Sequence, residues 1–216
     1  MSSEIHREPR RGRAAAIAPF CAAAALGASI LVLVGHGLAD TPLEQWRLAA
    51  RYTARFSFPI FLLVFVASSW NRLAPSALSR LLVRRRRALG LAFATAHTVH
   101  LGALVTFNAI AGVVPTPATL LVGGGAYAAM FAMALTSNDA SVRRLGRNWV
   151  RLHKAGIYWL WFVFTFSYGG RVFGGKPEFA PFFALLVAGL GVRIAAARAR
   201  RTRRAPAPAL ASSQEA

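Results

Sequence analysis

The sequence predicts an all-α integral membrane bundle of six transmembrane helices with both termini in the cytoplasm. Three observations carry that expectation: apolar runs of spanning length recur along the chain, charged side chains are scarce, and the basic ones are sorted between alternate connections. Of 216 residues, 56% are hydrophobic and 15% charged, the mean hydropathy is +0.44, and yet the formal net charge is +19. A soluble domain with so few charges has no reason to hold nearly all of them in one sign; a membrane protein does, because basic residues anchor its cytoplasmic connections.

A spanning helix needs ~20 apolar residues, fewer where flanking residues snorkel. Residues 14–35 hold no charge and form the first span. Residues 56–70 form a short second span, with Arg51 and Arg55 able to snorkel at one end. The third covers 88–110, the fourth 118–136, the fifth 149–168 and the sixth 179–197, the last two needing Lys154 and Arg193 to snorkel. The domain is therefore 14–197, between a basic cytoplasmic tail at 1–13 and a disordered, basic, Pro/Ala-rich cytoplasmic tail at 198–216.

Charge orients the bundle. Of the 26 basic residues, 21 fall in the tails, in the connections after the second and fourth spans or at the adjoining ends of the fifth and sixth spans, leaving Arg47, Arg51, Arg55, Arg171 and Lys176 for the other side. Six spans satisfy the positive-inside rule at every connection. The first span has the basic start of a signal peptide, but its apolar part exceeds the ~7 to 15 residues of such a segment. The basic residues lie between apolar runs and are not interleaved with exposed aromatics, which argues against nucleic acid as a partner. Cys21 is the only cysteine, so no disulfide framework or cysteine metal site exists.

Several motifs carry no chemistry. "GRVFGGKP" (170–177) matches phosphate-loop spacing up to the lysine, but Pro177 stands where Ser or Thr must hold magnesium, and no strand precedes it. "GGGAYAAM" in the fourth span lacks dinucleotide spacing; its small residues let helices approach closely. No soluble segment is long enough for a flavin or nicotinamide domain. A transporter would need intramembrane carboxylates or broken helices, and Asp40, Glu44 and Asp139 all fall in predicted loops.

Two histidines, His97 and His100, stand inside the third span, at i and i+3 on one face. An imidazole unpaired in hydrocarbon costs several kcal/mol, so a polar group at this depth is a functional hypothesis by default. Two readings stay open on the residues alone: a hydrogen-bonded structural pair, or ligation of haem iron, which takes neutral imidazoles and fills the space between helices with an apolar macrocycle. His36, at the outer end of the first span, reads as an interfacial residue bonded to water, and His6 as part of the tail. Trp149, Tyr158, Trp159, Trp161 and Phe166 read as core or interfacial aromatics.

"RRALGLAFATAHTVH" (86–100) and "LTSNDASVRRLGRNWVRLHKAGIY" (135–158) resemble the ferric-reductase-like transmembrane domain family, and within it the haem-binding membrane subunits of bacterial methionine-sulfoxide reductase systems. The likeness runs from about Arg84 to Tyr168. It implies a b-type haem protein passing electrons across the bacterial inner membrane, from a cytoplasmic or quinone donor to an external acceptor protein. By position it makes His100 and His153 the iron ligands, with His97 beside them at the cofactor. About thirteen residues beyond His153, where the family usually carries a further histidine facing the third span, this chain has Phe166. At 1.5 Å per residue His100 lies ~18 Å into its span and His153 ~6 Å into its own, so the two sit at different depths. The alternative is a haem-free structural or assembly protein that keeps the fold.

Overall fold

The computed structural model describes residues 16–202; the predicted tail at 1–13 with His6, and residues 203–216 of the predicted tail at 198–216, lie outside the described residues. Among the described residues all regular structure is helical. Helix α1 is Ala18–Gly37, α2 Pro42–Leu73, α3 Ala77–Ile110, α4 Pro117–Leu135, α5 Asp139–Leu145, α6 Arg147–Phe173 and α7 Ala180–Thr202. Five of them (α1, α2, α3, α4 and α7) are long and apolar enough to cross a membrane, as expected of a multi-pass membrane bundle. Large apolar side chains such as Leu33 and Leu121 point out of the bundle, as a lipid surround favours.

Three boundaries differ most from the sequence expectation. α2 starts at Pro42, well before residue 56, because Thr41 caps it, Pro42 fits its first turn, and Glu44 offers an acid there that pairs with Arg47. Glu44 is therefore helical and not in a loop. α3 starts at Ala77, behind a reciprocal Ser76–Ser79 capping box, so the Arg84–Arg87 run is helical too. Its 34 residues reach ~50 Å, well beyond the ~30 Å hydrocarbon core. α7 runs to Thr202, into the predicted tail. An apolar window finds the bilayer; the helix continues past it into polar surroundings.

Small residues set the closest helix contacts. Gly35 of α1 lies against α2 so tightly that a Cβ would come within 2.7 Å of the Ala49 amide nitrogen. Buried Ala24, Ala28, Ala92 and Ala96 join α1 to α3. α4 carries a π turn at Leu120–Gly124, and the Trp159 indole donates to the Val122 carbonyl at 3.2 Å there. A turn through Gly175, at φ 82°, joins α6 to the Pro177–Phe179 3-10 turn. No strand precedes this segment, and the phosphate-loop reading is closed.

α1, α3 and α6 run one way and α2, α4 and α7 the other. One end gathers the start of α2, the end of α3 and the end of α6; the opposite end gathers the Arg84–Arg87 run, His153 and Arg193. α2 and α3 form the most extensive helix pair, and α6 is held by α4 and α7. α3 and α6 are not among the closely packed pairs, and the space between them is filled by rings and by two cavities.

Candidate functional site: two histidine-bearing cavities

His97 and His100 both line the first cavity, of about 410 Å³, with ring centroids 4.9 Å apart. Their Nδ1 atoms meet α2, not each other. Ser57 Oγ lies 2.9 Å from His97 Nδ1 and Thr53 Oγ1 3.2 Å from His100 Nδ1. Each hydroxyl already donates to its own helix: Thr53 to the Ala49 carbonyl at 2.7 Å and Ser57 to that of Ala54 at 3.0 Å. A hydroxyl has one proton, and with that proton on the helix carbonyl each oxygen accepts from Nδ1–H. The tautomer is then fixed, and Nε2 of each ring carries its lone pair on the side away from α2.

Aromatic rings pack the pair. His97 stacks on Phe93 and on Tyr127, each at 5.1 Å, and lies 5.4 Å from Phe164. Phe61, Phe93 and Phe164 form a cluster that closes the floor of this cavity. Its mouth is basic, with Arg47, Arg51, Arg55, Arg171 and Lys176 on its wall and Glu178 the one carboxylate there.

His153 lines the second cavity, of about 600 Å³, at the other end of the bundle. Its ring stacks on Trp149 at 4.0 Å, and its Nδ1 lies 3.1 Å from the Trp149 carbonyl, which can only accept. With Nδ1–H donating there, Nε2 is the lone-pair nitrogen; it is buried and makes no hydrogen bond of its own, while the Met133 backbone carbonyl is a second acceptor near the ring. Around it are Met130 and Met133, and the basic residues Arg84, Arg86, Arg87, Lys154 and Arg193. Arg193 reaches inward between the faces of Phe65 and Tyr158, at 4.5 and 4.6 Å, and donates to the Phe65 carbonyl and the Tyr158 hydroxyl. Arg87 pairs with Asp139 at 2.9 Å. Phe61, Phe93 and Leu160 separate the cavities, Leu160 lining both.

The structure thus brings together His97 and His100 and places His153 in a different cavity, as the depth difference implied. Phe166 does not face the third span: it is 68% exposed and stacks on Phe162, while Phe164, two residues earlier, meets His97. Two residues are ~200° of helix rotation, so the expected facing fails on angle. His36 bonds the Val32 carbonyl through Nδ1 at 2.8 Å and sets its ring edge-on to Trp46. Tyr158 and Trp161 turn inward, holding Arg193 and the Leu186 carbonyl, and Trp159 is partly exposed.

The sequence reading missed Thr53, Ser57, Arg55, Tyr127 and Phe164. Thr53 and Ser57 carried one signal, two hydroxyls at i and i+4, but the second span was drawn from residue 56 and split them. No family model matches the chain, and no solved structure matches it.

Proposed function

We propose that this chain binds b-type haem and carries electrons across the bacterial inner membrane, with His100 and His153 as iron ligands in separate cavities and His97 beside His100. The observation that supports this most is the His153 Nε2 atom, buried and unpartnered on the wall of a cavity of about 600 Å³. Both cavities fall in the roughly 300–1,000 Å³ range of small-molecule and cofactor sites.

The donor sets fit haem as far as one imidazole per cavity: a ring nitrogen whose partner nitrogen is already hydrogen bonded, apolar and aromatic walls, and basic residues at the mouth. Neither cavity brings a histidine from the opposite helix. When bound, haem supplies a one-electron iron couple whose potential follows its ligands and surroundings. The chain's residues do the positioning. Thr53, Ser57 and the Trp149 carbonyl hold the three rings, and Phe61, Phe93 and Phe164 keep the path between the cavities dry. In this reading α6 crosses as the fifth of six spans, both termini are cytoplasmic, a cytoplasmic or quinone donor serves the His153 end, and an external acceptor protein serves the His100 end.

The test is a reduced-minus-oxidised visible spectrum of the purified full-length protein, expressed with haem supplied. Bands of b type are expected, diminished by His100→Ala and, separately, by His153→Ala, while His97→Ala weakens them less. A wild type without bands would overturn the reading. One observation favours a haem-free structural or assembly protein instead: each Nδ1 is satisfied within the chain, so the rings are stable hydrogen-bonded pairs without iron.

A further inference from the structure

The five basic residues that the charge sorting leaves on the less basic side are Arg47, Arg51, Arg55, Arg171 and Lys176, and all five line the first cavity. Basic residues are disfavoured on that side of a membrane protein, so their convergence on one opening needs a compensating charge. The described residues supply little of it. Glu44 pairs with Arg47 and lies near Arg51 as well, and Glu178 is the one carboxylate on the cavity wall itself. Arg55 and Arg171 come from different helices to lie over the same Phe179 ring, at 5.4 and 5.3 Å. That ring offers each a π face but cancels no charge. The Arg55 Nε is buried with no hydrogen-bond partner, and Arg171 spends only Nη1, on Ser167. A forked donor left unsatisfied beside a cavity suits a carboxylate or a phosphate.

We propose that Arg51, Arg55, Arg171 and Lys176 form a clamp for the acid groups of a small molecule whose apolar body fills the first cavity down to the His97–His100 floor. The body is apolar because the wall below the clamp is Leu104, Phe107, Val163 and Phe164. The clamp stands on cavity shape and charge, and it holds with or without the haem reading. With haem, the acid groups are its own carboxylates; without it, they belong to a separate organic anion.

Full-length protein in nanodiscs, purified after expression without added haem, is titrated with haem, with haem dimethyl ester and with phenyl phosphate. The ester has the same macrocycle and no free acid. If haem is the occupant, wild type binds haem about tenfold more tightly than the ester or better, the worth of one charged hydrogen bond. Arg55→Gln/Arg171→Gln then removes that difference, and Arg55→Lys keeps part of it. If a separate anion is the occupant, haem gives no specific spectrum, but phenyl phosphate raises the melting temperature of wild type and not of the double variant. Haem and its ester binding alike to wild type, with no phenyl phosphate shift, would overturn the clamp while leaving the haem reading in place. The ester comparison is repeated in His153→Ala, which removes the iron ligand of the second cavity with its own basic wall, and needs no clamp variant, so a misfolded double variant does not remove the test.

Discussion

Ser57 and Thr53 stand one turn apart on α2, each bonding a histidine of α3 and a carbonyl of its own helix. Removing the Ser57 hydroxyl leaves the buried His97 Nδ1–H without an acceptor, a loss of about 1–3 kcal/mol, whereas His100 is half-buried and has the Ala50 backbone nearby as well. Ser57→Ala should therefore lower the unfolding temperature in detergent, and Ser57→Ala/His97→Phe should recover part of it, since removing both partners removes the unsatisfied group. A double variant less stable than Ser57→Ala would mean that His97 is held by its ring packing and not by this bond. The same scale decides the aromatic positions. Phe166→His should leave haem content unchanged, because position 166 faces outward, whereas Phe164→His should add an imidazole beside His97 and move the spectrum toward low-spin iron. A response at 166 and none at 164 would show that α6 is rotated from the orientation described.

At the scale of elements, glycine positions test where helices truly touch. A Cβ at Gly35 would meet the Ala49 backbone at 2.7 Å, and backbone in a packed helix cannot step aside. A Cβ at Gly156 would come equally close to Met133, but to its flexible Sδ. Gly35→Ala should thus cost about 1–3 kcal/mol, the usual overpacking range, and Gly156→Ala distinctly less, read from paired thermal or denaturant unfolding. Equal losses would place α1 further from α2 than described. These contacts also explain what was legible in the sequence. That His97 and His100 share a cavity follows from i and i+3 on one helix, and their separation from His153 follows from depth along two helices. Neither needs a tertiary fold. Their partnership with Thr53 and Ser57 depends on how α2 is rotated against α3, which contacts far apart in sequence decide. Arg51 and Arg55 also break the apolar window that would put Thr53 on the same helix as Ser57. The outward facing of Phe166 was hidden likewise, because the fifth span is aromatic on several faces and no stripe marks the inner one.

At the scale of the molecule, α6 decides the topology. It lies outside the set of helices apolar enough to span on hydropathy, and a five-span chain would put the termini on opposite sides. Yet α6 lines the second cavity at His153 and the first at Ser167 and Arg171, just as α3 lines the second at Arg84 and the first at His100. Its stretch between Lys154 and Arg171 is ~25 Å long, short of the ~30 Å core by an amount two snorkelling cations can make up. Charge agrees, because with α6 spanning, all 21 of the sorted basic residues share one side and only the five around the first cavity remain on the other. Reporter fusions after Arg87, Gly146 and Ala216 should accordingly read cytoplasmic, and fusions after Thr41, Val114 and Gly174 external. The informative pair is Gly146 and Gly174, on either side of α6. If both read cytoplasmic, α6 does not cross, the sense of α7 reverses, and Arg193 can no longer share an end with Arg86 and His153. The second cavity would then lose one of its walls, and the two-cavity site would fall with the topology.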